Sequence, residues 1–183
     1  MEEIRKGGFW QETLQFILAS ILIIMPIRFF VAQPFVVSGQ SMSPTFENGE
    51  YLIVDELSYY LSSPSRGDVI IFKYPRDMSK YFIKRIVGLP GETIEIRDQS
   101  VLVTPVGTDT PVKIDEPYIT GGTVGSDAIV PIRNDEYFVM GDNRGASSDS
   151  RSWGNLPKKL ITGRALLRLY PPKRIEYLPG KNK

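Results

Sequence analysis

From Thr13 to Val31 the chain is apolar with few breaks, TLQFILASILIIMPIRFFV. At the rise of an α-helix this run is roughly 28 Å long, close to the hydrocarbon thickness of a bilayer. The pattern predicts an uncleaved transmembrane helix over 13–31, preceded by a short tail, 1–12. The competing readings are a buried core helix and a cleaved signal peptide, and Gln15, Pro26 and Arg28 weaken the span. No small-residue cleavage pattern follows it, however. Trp10 falls where an interfacial aromatic would, and Arg28 is near enough to the far end to snorkel to the headgroups. Beyond Gln33 the pattern shortens to β-branched and aromatic runs broken by Gly, Pro, Asn and Asp: EYLIVDEL, GDVIIFKYP, YFIKRIVGLPGETIEI and YFVMGDN. Their period predicts strands, so residues 32–183 read as one mainly β domain. From about 98 to 134 the strand signal weakens and Gly, Thr, Pro and Asp accumulate, which predicts an inserted cap of hairpins and loops. The tail PPKRIEYLPGKNK reads as a closing strand or loop with a frayed end.

Composition narrows the chemistry. The 183 residues suffice for one anchor and one domain with a core of its own. With 22 Lys and Arg against 21 Asp and Glu, the chain lacks the basic footprint that nucleic acid demands of its partners. It has no Cys and no His. That inventory excludes thiol nucleophiles, disulfides, Ser-His-Asp catalysis and nearly all zinc sites, so neither a metal nor a cofactor is expected. Acid–base chemistry near neutral pH then falls to a carboxylate, a Tyr or a Lys of displaced pKa.

Three segments could carry such chemistry. In VVSGQSMSPTFENGEYLIV, Ser41 sits in a loop between Gly39 and Pro44. Taken alone, a serine there is more often a solvated turn residue than a nucleophile. In YFIKRIVGLPGETIEI, Lys84 lies mid-strand. Alternation puts it on the side of Phe82, where apolar surroundings would depress its pKa; the plainer reading is a surface lysine that snorkels. Arg85 must point the other way, toward a carboxylate. The third, GDNRGASSDSRSWG, is a polar loop that could orient a neutral amine through a hydroxyl, with Asp149 and Arg151 pairing to hold its shape.

In this order, S-x-x-S-M-x-P-T, G-D-V-I-I-F-K-Y-P, K-R-I-V-G-L-P-G and G-D-N-R-x-x-S-x-D-S-R resemble the boxes of bacterial type I signal peptidases, over most of the chain. The resemblance implies a serine endopeptidase working with a Ser/Lys dyad, Ser41 as nucleophile and Lys84 as general base. It implies that Ser147 hydrogen-bonds the lysine, that Asp149 and Arg151 form a structural ion pair, and that Asp142 and Arg85 form another. It also implies that Val37, Met42, Phe46, Phe82 and Ile83 wall shallow pockets for small side chains, giving cleavage after Ala-x-Ala sites. Some members carry a second Ser two residues before the nucleophile; here Gly39 stands there, leaving the oxyanion to backbone N–H groups, chiefly that of Ser41. The implied fold is an SH3-like β-barrel core with a small inserted cap behind one transmembrane helix. The implied placement is a cell membrane, with the N-terminus cytoplasmic and 32–183 extracytoplasmic. The implied partners are signal peptides of preproteins, the lipid bilayer and, as a further candidate, the secretion translocon. Two rival readings stand beside this one. Self-cleaving repressors share the dyad but carry a DNA-binding domain in place of the apolar run, and a catalytically silent tethered β-domain would need Ser41 and Lys84 misplaced.

Overall fold

The computed structural model describes residues 6–26, 32–119 and 125–181. In chain order it contains α1 (Lys6–Pro26), β1 (Ala32–Val36), β2 (Tyr51–Asp55), α2 (Ser58–Leu61), β3 (Val69–Tyr74), β4 (Asp77–Gly88), β5 (Thr93–Arg97), β6 (Ser100–Thr104), β7 (Val112–Lys113) and β8 (Ala128–Pro131). There follow β9 (Glu136–Met140), α3 (Ser150–Trp153), β10 (Leu156–Pro157), β11 (Ile161–Tyr170) and β12 (Glu176–Tyr177). The chain is mainly β, as its short alternating runs predict.

The helix begins before the expected span, at Lys6, and its described part ends at Pro26. The remainder of that span, 27–31, lies outside the described residues, as do 1–5 of the expected tail. Among the described residues no helix is long and apolar enough to cross a membrane. Phe16 and Leu18, on opposite sides of α1, are both exposed, at 74% and 57%.

The larger sheet runs β1-β2-β11-β3-β4-β9-β10, with β12 added to β11. It is antiparallel, and the described pairings leave it open rather than closing the barrel expected from the sequence. Its two faces follow from the period of the strands. On β3, Ile70 and Phe72 join Ile86, Tyr137, Val139 and Leu156 in one cluster, while Val69 and Ile71 join Val37, Met42, Phe46, Leu52 and Val54 in another.

The inserted unit is a second antiparallel sheet, β7-β6-β5-β8. It starts earlier than the sequence suggested, at Thr93 rather than about 98. Asp98 and Gln99, at the expected start of the cap of hairpins and loops, are a two-residue turn joining β5 to β6. Their φ values of 51° and 56° fit the hairpin turn whose twist matches its strands. Ile94, Ile96, Val101 and Val103 bury this sheet against Val87, Phe138 and Met140 of the larger one.

Candidate active site

β4 carries two adjacent cations to opposite faces. Opposite it on β3, Lys84 aligns with Ile70 and Phe82 with Phe72, whereas Arg85 aligns with Val69 and Ile83 with Ile71. Lys84 therefore emerges on the face of Phe82, and only 3% of it is exposed. Its Nζ lies 2.6 Å from Ser41 Oγ and donates to the Ile83 carbonyl at 2.8 Å. The Phe82 ring stands 5.3 Å from Nζ; Tyr74 stacks on that ring at 4.4 Å, and Trp153 meets Tyr74 edge-on. Burial pulls the lysine down from its ordinary 10.5 to about 8, against the opposing pull of the Asp149 and Asp142 carboxylates. At pH 7 that change turns a neutral fraction of roughly 0.03% into roughly 10%.

Ser41 follows β1 on a turn of residues 41–45. Gly39, two residues before it, sits at φ 93°, where a side chain would be strained, and its N–H donates to Asn48 Oδ1 at 2.9 Å. The serine carbonyl accepts from Asn143 N–H at 3.0 Å, and Asn143 Nδ2 donates to the Gln40 carbonyl at 3.2 Å. Gly141 makes that approach feasible, since a β-carbon there would collide with the Ser41 carbonyl oxygen and with Ser147 Oγ. Ser41 and Lys84 open on a cleft of about 430 Å³ lined also by Phe35, Val37, Tyr81 and Ile83.

The support beneath is ionic and buried. Arg85 donates from Nε to Asp142 Oδ1 at 2.8 Å and from Nη2 to Oδ2 at 2.6 Å, both side chains fully buried, and Thr45 Oγ1 donates to the same Oδ2. Asp149 receives Arg151 Nε and Nη2, each at 2.8 Å, and the Gly141 N–H at 3.0 Å. Burial alone would raise the Asp149 pKa, but the Arg151 guanidinium and the Gly141 N–H hold it below the ordinary value. Asp149 thus sits, its pKa lowered, behind a lysine whose burial favours the neutral amine.

The structure brings together Ser41, Lys84, Arg85, Asp142, Asp149 and Arg151, and it places Val37, Gly39, Phe82 and Ile83 on the cleft. Three expectations need correction. Met42 and Phe46, expected as pocket walls, are buried at 1% and 0% exposure in the core behind the loop and do not line the cleft. Facing the interior satisfies both large apolar groups, and the cleft wall falls to Phe35 and Tyr81 instead, whose rings meet at 5.3 Å. Ser147 makes no hydrogen bond to Lys84; its Oγ is buried against Gly141, and the amine is occupied by Ser41 and the Ile83 carbonyl. The sequence reading gave no role to Thr45, Gly141, Asn143 or Arg144, although all four stand within the quoted boxes. It missed Glu116 and Tyr118 altogether, because nothing local marks two loop residues of the inserted unit as neighbours of Arg144 and Arg85.

A family model described as signal peptidase, peptidase S26, matches residues 10–170. A probable signal peptidase I of Synechocystis is 35% identical to this chain, over 91% of it and 85% of the relative. A signal peptidase I of Leptolyngbya laminosa is 34% identical, over 90% and 81%. A crystal structure of a signal peptidase I from Enterococcus faecalis is similar at 29% identity and a TM-score of 0.47, covering 56% of this chain and 97% of that one.

Proposed function

Since the chain belongs to the signal peptidase family, peptidase S26, we propose that it removes signal peptides from exported preproteins with Ser41 as nucleophile and Lys84 as general base. The observation that carries this reading is the 2.6 Å contact between a serine hydroxyl and a lysine whose burial favours the neutral amine. Neutral Nζ takes the hydroxyl proton as Oγ attacks the carbonyl carbon of the scissile bond, forming a tetrahedral intermediate. The ammonium then gives that proton to the departing amine as the carbon–nitrogen bond breaks, leaving the signal peptide as an ester on Ser41. Water, deprotonated by the same amine, attacks the ester; Oγ recovers the proton and the peptide leaves with a free carboxylate. The backbone N–H of Ser41 is the proposed oxyanion donor, with Gly39 keeping side chains away.

Val37, Phe82 and Ile83 give the cleft an apolar wall, and the specificity proposed for it is cleavage at Ala-x-Ala sites. We place α1 in the bilayer, because its apolar side chains are exposed on opposite sides. The N-terminus is then cytoplasmic, 32–183 extracytoplasmic, and substrate and enzyme share one surface, which raises their effective concentration. The translocon is a proposed neighbour on that surface. The experiment is cleavage of a preprotein bearing an Ala-x-Ala site by the wild type, by Ser41→Ala and by Lys84→Ala, with the new N-terminus sequenced. Cutting after the second Ala by the wild type alone is expected; near-normal cutting by either variant would sink the dyad.

A further inference from the structure

Two side chains of the inserted unit reach the loop that holds the nucleophile. Both lie on the segment between β7 and β8. Glu116 pairs with Arg144, with Nη1 donating to Oε2 at 3.1 Å and Nη2 to Oε1, and the two side chains are 6% and 1% exposed. Arg144 in turn donates from Nε to the Gly141 carbonyl at 3.0 Å. Tyr118 donates from its hydroxyl to Glu116 Oε1 at 2.9 Å and lays its ring over the Arg85 guanidinium, 3.9 Å from Cζ. Arg85 is the partner of Asp142 and the strand neighbour of Lys84. Each arm therefore ends on the Gly141–Asn143 stretch, whose Asn143 N–H binds the Ser41 carbonyl.

We infer that Glu116 and Tyr118 are positioning residues: the inserted unit clamps Arg144 and Arg85, and so fixes the stretch against which Ser41 is held in reach of Lys84. Accepting the Ser41–Lys84 reading, this gives the inserted unit a part in setting the geometry of the dyad. A buried guanidinium without its carboxylate must find another partner or move toward water, and either shift moves the Gly141 carbonyl it holds. A displacement of an ångström at the nucleophile is enough to slow chemistry a hundredfold without weakening substrate binding.

The test compares Glu116→Ala, Tyr118→Leu and Tyr118→Phe with the wild type, as full chains in detergent micelles, on a peptide spanning an Ala-x-Ala site. Glu116→Ala and Tyr118→Leu should lower kcat fivefold or more with KM within twofold, and leave the acidic limb of the pH–rate profile in place, because neither strips Lys84 of its apolar cover. Tyr118→Phe keeps the ring on Arg85 and should stay within threefold of wild type. If Glu116→Ala does not fold, the two Tyr118 variants decide. A kcat within fivefold of wild type in folded Tyr118→Leu overturns the inference. So does a loss that merely follows the folded fraction, read by near-ultraviolet circular dichroism on the same samples. Failure of the underlying reading looks different, since then the wild type does not cut or Ser41→Ala does.

Discussion

Replacing Lys84 with methionine should abolish cleavage and at the same time make the fold more stable at neutral pH. Methionine keeps the length and apolar stem of lysine and removes the amine. Each tenfold change in proton affinity is worth about 1.4 kcal/mol, so a lysine held near 8 instead of 10.5 costs the folded state about 3 kcal/mol whenever it is protonated. Losing the contacts to Ser41 Oγ and the Ile83 carbonyl gives back about 1 kcal/mol each, which leaves the variant ahead by about 1 kcal/mol at pH 7. The folded pKa lies below the unfolded one, so the unfolded chain binds more protons between about pH 8 and 10.5. Wild-type stability, relative to the variant, therefore rises across that window, is lowest below it and is fully recovered above it. Urea unfolding of both full chains in detergent micelles, at pH 7, 8, 9 and 10, measures the difference. A gap that does not change between pH 7 and 10 would refute the reasoning, because it would mean that Lys84 titrates alike in the folded and unfolded chains.

The same displaced pKa should appear in kinetics: kcat/KM rises through about pH 8, and a profile already flat from pH 6 upward contradicts Lys84 as the base. Gly141→Ala places a β-carbon against the Ser41 carbonyl and Ser147 Oγ, so it should cost about 1–3 kcal/mol and lower kcat more than it raises KM; unchanged kcat in the folded variant would count against that contact. Phe46→Ala empties a fully buried site behind the nucleophile loop, and a loss of about 3–5 kcal/mol in urea unfolding is expected. Its cleavage position on a preprotein should be unaltered, and a shifted cut would return Phe46 to the cleft wall.

The parts legible in the sequence are those decided by neighbours along the chain. Alternation alone sets Lys84 on the face of Phe82 and Arg85 on the other, and the structure has both. The spacing of Asp149 and Arg151 was enough to suggest a pair, because a carboxylate preceding a short helix can bind a guanidinium two residues on. What could not be read depends on distant pairing. Met42 and Phe46 flank the serine in sequence, but the turn sends them inward, and a loop without a period carries no sign of that direction. The sequence puts the start of the inserted cap near 98 rather than at Thr93, because the residue types of Asp98 and Gln99 suit turns of several lengths; the two-residue hairpin emerges only when β5 finds β6. Glu116 and Arg144 are separated by 28 residues of chain, and no local pattern couples them.

The place of β11 in the larger sheet has a consequence in time. β2 and β3 are not neighbours there, and β11, residues 161–170, lies between them. Ser41 belongs to the half built from β1 and β2, Lys84 to the half built from β3 and β4, and in the order of the strands β11 alone joins the halves. During synthesis, more than seventy residues therefore follow Lys84 before the strand that unites the two halves begins to be made. Until that strand is in place, the sheet order offers no continuous hydrogen-bonded path from the strands beside Ser41 to the strand that carries Lys84.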